Sequence, residues 1–316
     1  MTHGEIDNVW TKQPWLMSLS TVSATERASW LQHTLQIKKK GLRKIIMRYP
    51  QLLGLRIENL DEKWAWFGST FNTTDDQLAR AITVYPTLLG CKIDSHQQKI
   101  DWLQARLDIN STQEAQKLFL RAPAILYLSQ DAIDSRIQWI QDRTELTGKA
   151  VTKVLMKHPP ILYSSIEGKL DPTFTWISDK LGHEAARKMV TRIPSVLCMS
   201  LLEKTEPQIE YLKTKFHLDG EGISKMLSQT PQLVAASRDN IENTFQFYAD
   251  RYGHDQTIRN VIGCPTLLMY SLEKRLIPRW DQAVELGFEQ DAAISYLALY
   301  TNKKWDLYVE SKVAGS

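Results

Sequence analysis

Cysteine is scarce in this 316-residue chain: three residues, Cys91, Cys198 and Cys264, share no spacing. An odd, unpatterned set argues against a disulfide framework and for a reducing compartment. No apolar run approaches the roughly 18 residues of a membrane span, so no membrane partner is expected. Net charge is also small. Lys and Arg number 39 against 36 Asp and Glu, a formal +3 with a pI near 8.6. That balance falls short of a strongly basic nucleic-acid-binding domain, and charge can serve such a role only if the two signs separate onto different faces. Gly/Ser-rich linkers and low-complexity tracts are missing.

Recognisable reaction chemistry is missing as well. No Gly-rich phosphate loop, Ser elbow or catalytic cysteine setting is visible. None of the seven histidines pairs with a cysteine or carboxylate at metal-ligand spacing, and His183-Glu184 lacks the second histidine of a zinc-protease helix. His96 and His158 fall in apolar slots and read as core histidines with satisfied nitrogens. No cofactor or metal is implied, and the chain does not read as an enzyme. The first ten residues contain no Arg-rich leader and no signal-peptide core. Ile6, Val9 and Trp10 instead occupy apolar slots, so the chain is expected to begin inside its first repeat.

What the chain does have is a period. A proline followed by apolar side chains recurs at Pro14, Pro50, Pro86, Pro123, Pro159, Pro194, Pro231 and Pro265. Before most of these prolines, mainly apolar residues stand at minus eight, five, four and one, as in Leu42, Ile45, Ile46 and Tyr49 before Pro50, or Val151, Val154, Leu155 and His158 before Pro159. This spacing is the stripe of a helix of about ten residues, which the proline ends. Thr74 with Gln77, and Ser111 with Glu114, read as capping boxes at helix starts. A short apolar turn follows each proline. An acidic residue at plus eight (Glu58, Asp94, Asp131, Glu167, Asp239, Glu273) then caps a second helix or meets its positive end.

The second helix shows apolar slots at plus ten, fourteen and seventeen, as in Leu60, Trp64 and Phe67. After Pro159 and Pro194 the pattern slips by one, giving Leu170, Phe174, Ile177 and Thr205, Ile209, Leu212. Neither helix can bury its stripe alone, so neighbours must stack. The expectation is an all-α solenoid of about eight helix-turn-helix repeats spanning 1–316 as one domain. Residues 1–13 begin the first repeat, and 289–316 form a C-terminal cap with Ile294, Leu297, Leu307 and Val309 inward.

Two side-chain ladders accompany the repeat. Six residues before the proline stand Lys44, Arg80, Lys117, Lys153, Lys188, Lys225 and Arg259. One helical turn later, at minus two, stand Arg48, Arg121, Lys157 and Arg192. Both slots lie opposite the apolar stripe and should face solvent. With helices about 8–10 Å apart, seven such rungs would span roughly 55–65 Å, a scale suited to a polyanion such as DNA or RNA. Interchange of Lys and Arg preserves charge and not shape. The alternative is ordinary solvated helix surface. The second ladder is aromatic: Trp30, Trp66, Trp102, Trp139 and Phe247 at plus sixteen, with Trp176 and Tyr211 after the slip. These flank the apolar stripe and read as packing between repeats rather than base-stacking platforms.

The combination of helix, Pro-x-aliphatic-aliphatic turn, acidic helix start and Trp-Leu or Trp-Ile (Trp102-Leu103, Trp139-Ile140, Trp176-Ile177) resembles the mitochondrial transcription termination factor (mTERF) family. Pro265 to Arg279 is similar to the last repeat of its plant and algal members. Likeness runs from about Ile6 to Lys312. It implies a superhelix of two-helix repeats with short 3₁₀ turns, right- or left-handed and curved into a half-ring, whose basic concave groove binds nucleic acid. It further implies a role in chloroplast or mitochondrial gene expression: transcription termination or initiation, ribosomal RNA maturation, or intron splicing. Expected partners are double-stranded DNA, RNA or both, and other organellar gene-expression proteins, with the protein itself a monomer. A protein-binding scaffold is the rival from another class.

Overall fold

The computed structural model describes residue 11 and residues 13–314, so Ile6, Val9 and Trp10 lie outside the described residues. Among the described residues there is helix of three kinds and no strand. Two compact units divide at Tyr163 and Ser164.

In the first unit, α1 (Thr21–Thr34) is followed by α2 (Lys39–Arg48), α3 (Ile57–Phe71), α4 (Asp75–Val84), α5 (Ile93–Leu107), α6 (Thr112–Arg121), α7 (Gln130–Thr144) and α8 (Lys149–Lys157). In the second, α9 (Asp171–Leu181) and α10 (His183–Arg192) precede α11 (Glu206–Lys215) and α12 (Gly220–Gln229). Then come α13 (Arg238–Tyr252), α14 (His254–Gly263), α15 (Ile277–Glu285), α16 (Ile294–Leu299) and α17 (Asn302–Ala314).

Each of the eight prolines opens a 3₁₀ turn rather than merely ending a helix, from Pro14–Ser18 through Pro265–Met269. Proline fits there because the first helical N–H has no partner to lose. The preceding residue is driven out of the α region, as at Tyr49 (φ −143°, ψ 76°). Behind the proline, apolar pairs such as Leu88 with Leu89 and Ile161 with Leu162 close the interior, all fully buried. The helix stripes join them: Ile45, Leu60, Phe67, Ile133, Ile140, Val154 and Leu155 are buried. The minus-one slot is only half-buried at Tyr49, His158 and Ile193.

The one-residue slip has a backbone cause. Ile166–Leu170 and Leu201–Thr205 are single π-helical turns, as is Leu272–Leu276. Their amides reach five residues back, Leu170 N–H to Ser165 O at 3.0 Å, and Thr205 N–H to Ser200 O and Leu276 N–H to Ser271 O at 3.1 Å. Each turn is followed two residues later by a proline, Pro172, Pro207 or Pro278. A proline in a regular α-helix would strike the carbonyl four residues back and forfeit a hydrogen bond, and the wider turn relieves that conflict. The repeat from Pro231, which has Thr244 in place of such a proline, makes a continuous α13 with no slip.

Caps also depart from the sequence expectation. Thr74 and Gln77 form the full reciprocal box, but Ser111 only accepts from the Glu114 amide at 3.2 Å and Glu114 does not reciprocate. The plus-eight carboxylates are not caps. They sit in the first turn of the second helix, as Glu58, Asp94 and Asp131 do, where they favour the positive dipole end. Where a side chain does cap that helix it is a serine at plus six: Ser129, Ser165, Ser200 and Ser271 accept amide hydrogens at 2.9–3.3 Å.

At the C-terminus, Ile294, Leu297, Trp305 and Val309 pack onto Tyr248, Leu267 and Leu276. Arg279, 5% exposed, ties this layer down by donating to Leu297 O (2.8 Å), Tyr300 O (2.9 Å) and Asn302 Oδ1 (3.0 Å). Leu307 is the exception to the expected inward set. It is 55% exposed, because the buried stripe of α17 runs through Trp305 and Val309 on the other side.

Candidate nucleic-acid interface

All eleven candidate cations are exposed: Lys44, Arg48, Arg80, Lys117, Arg121, Lys153 and Lys157 in the first unit, and Lys188, Arg192, Lys225 and Arg259 in the second. Their helices fold with the stripe inward, so the minus-six and minus-two positions have nowhere to point but outward. Exposure is common to the two slots, but what they do differs.

Three of the four minus-two residues are spent on the neighbouring repeat. In the first unit Arg48 donates to Val84 O at the end of α4, and Arg121 to Met156 O near the end of α8 at 2.9 Å. In the second, Arg192 reaches Gln229 O at the end of α12 at 2.7 Å. Each guanidinium therefore supplies a donor to carbonyls left open at a helix C-terminus, where positive charge is favoured. Part of each arginine's fork is thus committed to holding the first helices of successive repeats together.

Three minus-seven side chains perform the reverse link. Gln116 Nε2 donates to Asn72 O at 2.5 Å and Thr152 Oγ1 to Leu107 O at 2.8 Å, while Ser224 Oγ donates to Leu181 O. Between these two sets of ties stands the minus-six slot. Among the described residues, no hydrogen bond or ion pair engages Lys44, Arg80, Lys117, Lys153 or Lys225. Lys188 pairs with Glu184 at 3.4 Å, and Arg259 donates to Gln256 Oε1 at 2.8 Å.

Lys117 and Lys153, with Arg121, Lys149 and Lys157, line an open groove of about 570 Å³ between α6 and α8. Its acidic members are Glu114 and Asp108. The Asn110 amide and then Lys149, whose ammonium is 3.3 Å away, hold the Asp108 carboxyl below its usual pKa range. Asp108 thus partly neutralises Lys149, a groove residue the sequence reading did not single out.

A further basic ladder escaped that reading because its slot, at plus thirteen, borders the apolar stripe. Arg27 donates to Leu55 O at 2.9 Å and Lys63 to Leu89 O at 2.6 Å, each reaching the next 3₁₀ turn. After the slip, Gln208 does the same to Leu233 O at 3.0 Å. Burial pushes the Lys63 ammonium pKa down. Lys99, in the same slot, is 9% exposed with its ammonium 4.5 Å over the Trp102 ring and no hydrogen-bond partner. Arg27 and Lys63 thus tie repeats together, whereas Lys99 packs on its own helix.

The aromatic ladder behaves as packing. Trp139 and Phe247 are buried, and Trp30, Trp66, Trp102, Trp176 and Tyr211 are half-buried. Trp30 Nε1 donates to Asp61 at 2.7 Å, Trp66 stacks on His96 at 6.0 Å, and the Tyr211 hydroxyl donates to Glu242 at 2.6 Å, each partner lying one repeat on. His96 Nε2 lies 3.1 Å from Leu88 O and is 2% exposed. His158 differs: its Nε2 is buried without a partner, contrary to the satisfied core histidine expected. Among the described residues no group of three or more His, Cys, Asp or Glu is arranged to hold a metal, and no helix is long and apolar enough to cross a membrane.

Comparison with known proteins agrees with the repeat chemistry. The chain is 28% identical to the transcription termination factor MTERF2, chloroplastic, of Arabidopsis thaliana over 131 residues, 40% of this chain and 19% of that protein. The chain therefore spans well under two thirds of that relative's length. The mTERF family profile matches residues 1–305, nearly the whole sequence. With its proline-opened 3₁₀ turns, paired helices and recurrent Trp-aliphatic steps, this chain belongs to the mTERF family.

Proposed function

We propose that this protein binds double-stranded DNA through its minus-six cations and regulates organellar gene expression, as a transcription termination factor does. Membership of the mTERF family supports nucleic-acid binding in an organelle, and the similar Arabidopsis thaliana protein is a chloroplastic factor. In this reading the chain is one monomeric solenoid with a basic concave groove, acting in the chloroplast or mitochondrion without catalysing a reaction.

The observation that carries it is the state of the minus-six slot. Six flanking side chains, Arg48, Arg121, Arg192, Gln116, Thr152 and Ser224, are occupied with inter-repeat hydrogen bonds, whereas Lys44, Arg80, Lys117, Lys153 and Lys225 are exposed and have no partner among the described residues. Charge left uncommitted at a periodic position suits a ligand with periodic negative charge. Phosphate contacts position the protein and carry no base identity.

The test is retention of a duplex at rising salt. A steep negative slope of log affinity against log salt is expected, about −6 if all seven cations meet phosphates. Replacing Lys117, Lys153, Lys188 and Lys225 with Glu should abolish retention with the helical fold intact. Preference for single-stranded RNA in the same assay would move the protein to RNA processing. Retention untouched by the four replacements would favour a protein-binding scaffold.

A further inference from the structure

The minus-six cations are not equivalent, and the residue four positions earlier sets Lys44, Lys117 and Lys153 apart from the other four. In the second unit that residue is acidic every time: Glu184 before Lys188, Glu221 before Lys225 and Asp255 before Arg259. In the first unit it is Lys40 before Lys44, Asp76 before Arg80, Gln113 before Lys117 and Lys149 before Lys153. Side chains four apart on a helix are neighbours, and an acid N-terminal to a base is the favourable order. The second-unit cations thus have an ordinary helix-surface explanation, realised at 3.4 Å in Lys188–Glu184. Arg187, also within reach at 2.8 Å, and then Lys188 hold the Glu184 carboxyl pKa down.

Two first-unit cations have the opposite setting. Lys40 with Lys44, and Lys149 with Lys153, are like-charge neighbours that weaken an isolated helix, and only Lys149 is relieved, by Asp108. Helix α2 carries five Lys or Arg and α8 three, and neither contains an Asp or Glu. The wider composition follows suit. Residues 1–163 hold 21 Lys and Arg against 16 Asp and Glu, and residues 164–316 hold 18 against 20. Repulsion among exposed cations is removed when a polyanion lies over them and releases its counterions.

We infer that the first unit is the phosphate-gripping part of the protein, through α2 and the α6–α8 groove lined by Lys117 and Lys153, while each minus-six cation of the second unit stands one helical turn after an acidic residue that offsets its charge. This rests on the nucleic-acid reading above and deepens it. The ligand chemistry is a run of adjacent phosphodiesters, independent of base sequence.

The experiment compares two matched full-length variants, Lys117→Gln/Lys153→Gln and Lys188→Gln/Lys225→Gln, on a random-sequence duplex across a salt series. The first pair should flatten the salt slope by about 2, since each lost phosphate contact removes about 0.9. The second should leave it within error of the unaltered protein. Circular dichroism and thermal melting of both variants check that these exposed changes leave the fold intact. Equal flattening by the two pairs, or more by the second, overturns the inference and leaves nucleic-acid binding standing. An unaltered protein that binds neither duplex nor single-stranded RNA with any salt dependence overturns both.

Discussion

Arg192 donates from Nη1 to the Gln229 carbonyl at 2.7 Å, closing the C-terminal end of the next repeat's first helix from outside. Arg48 with Val84 and Arg121 with Met156 repeat the relationship in the first unit. A cation that looks surplus on one helix is thus a cap for another. Arg192→Ala is expected to destabilise the fold by about 1 kcal/mol, the scale of a charged donor at a partly solvated helix end. Denaturant melts should show it, and duplex affinity should change little. If melts are unchanged and affinity collapses, the arginine is a ligand contact.

Gly90 is a point of close approach between repeats. A Cβ added there would lie 2.0 Å from Tyr49 Oη and 2.6 Å from Cζ, so the phenol would have to shift. Gly90→Ala should cost about 1–3 kcal/mol, as overpacking does. In a Tyr49→Ala background the same change should cost far less. A double-mutant cycle checks this, and additive losses would contradict the contact.

The π-turn before Pro207 makes a prediction about chain length. Deleting Lys204 should return Thr205, Ile209 and Leu212 to plus ten, fourteen and seventeen, the regular register. Pro207 would then stand inside an unwidened α-helix, at a cost of about 3 kcal/mol. The deletion combined with Pro207→Ala should therefore be more stable than the deletion alone by about that amount. Equal melting of the two proteins would sever the link between proline and slip.

Acid should loosen the fold through two histidines, the buried His96 and the half-buried His158. Burial holds the His96 pKa below its ordinary value, with the Lys63 charge adding to the effect and the Leu88 carbonyl opposing it. Burial alone lowers His158. The folded pKa is the depressed one, so the unfolded chain takes up protons first. The stability these groups contribute is full above the unfolded value of about 6.5 and is lost as pH falls from there through the folded pKa. Melting temperature should drop over that window, and less steeply in a His96→Gln/His158→Gln variant. An unaltered slope in that variant would assign the acid sensitivity elsewhere.

The sequence by itself determined the repeat. Prolines at near-constant spacing, stripes at minus eight, five and four, and apolar pairs behind each proline require only the 3.6-residue period and proline's missing N–H, both local properties of the chain. The slip was legible as a displaced pattern, and only the backbone showed its i-to-i+5 turn. Which polar side chains are already occupied was decided by tertiary structure alone. Arg121 and Met156, Thr152 and Leu107, and Lys63 and Leu89 are 35, 45 and 26 residues apart. Stacking brings these donors to carbonyls at the ends of other helices and turns, and proximity through space is not written in the spacing along one helix. The cations at minus two, minus six and plus thirteen look alike as letters; what they reach after stacking is what separates ties between repeats from charge left for a ligand.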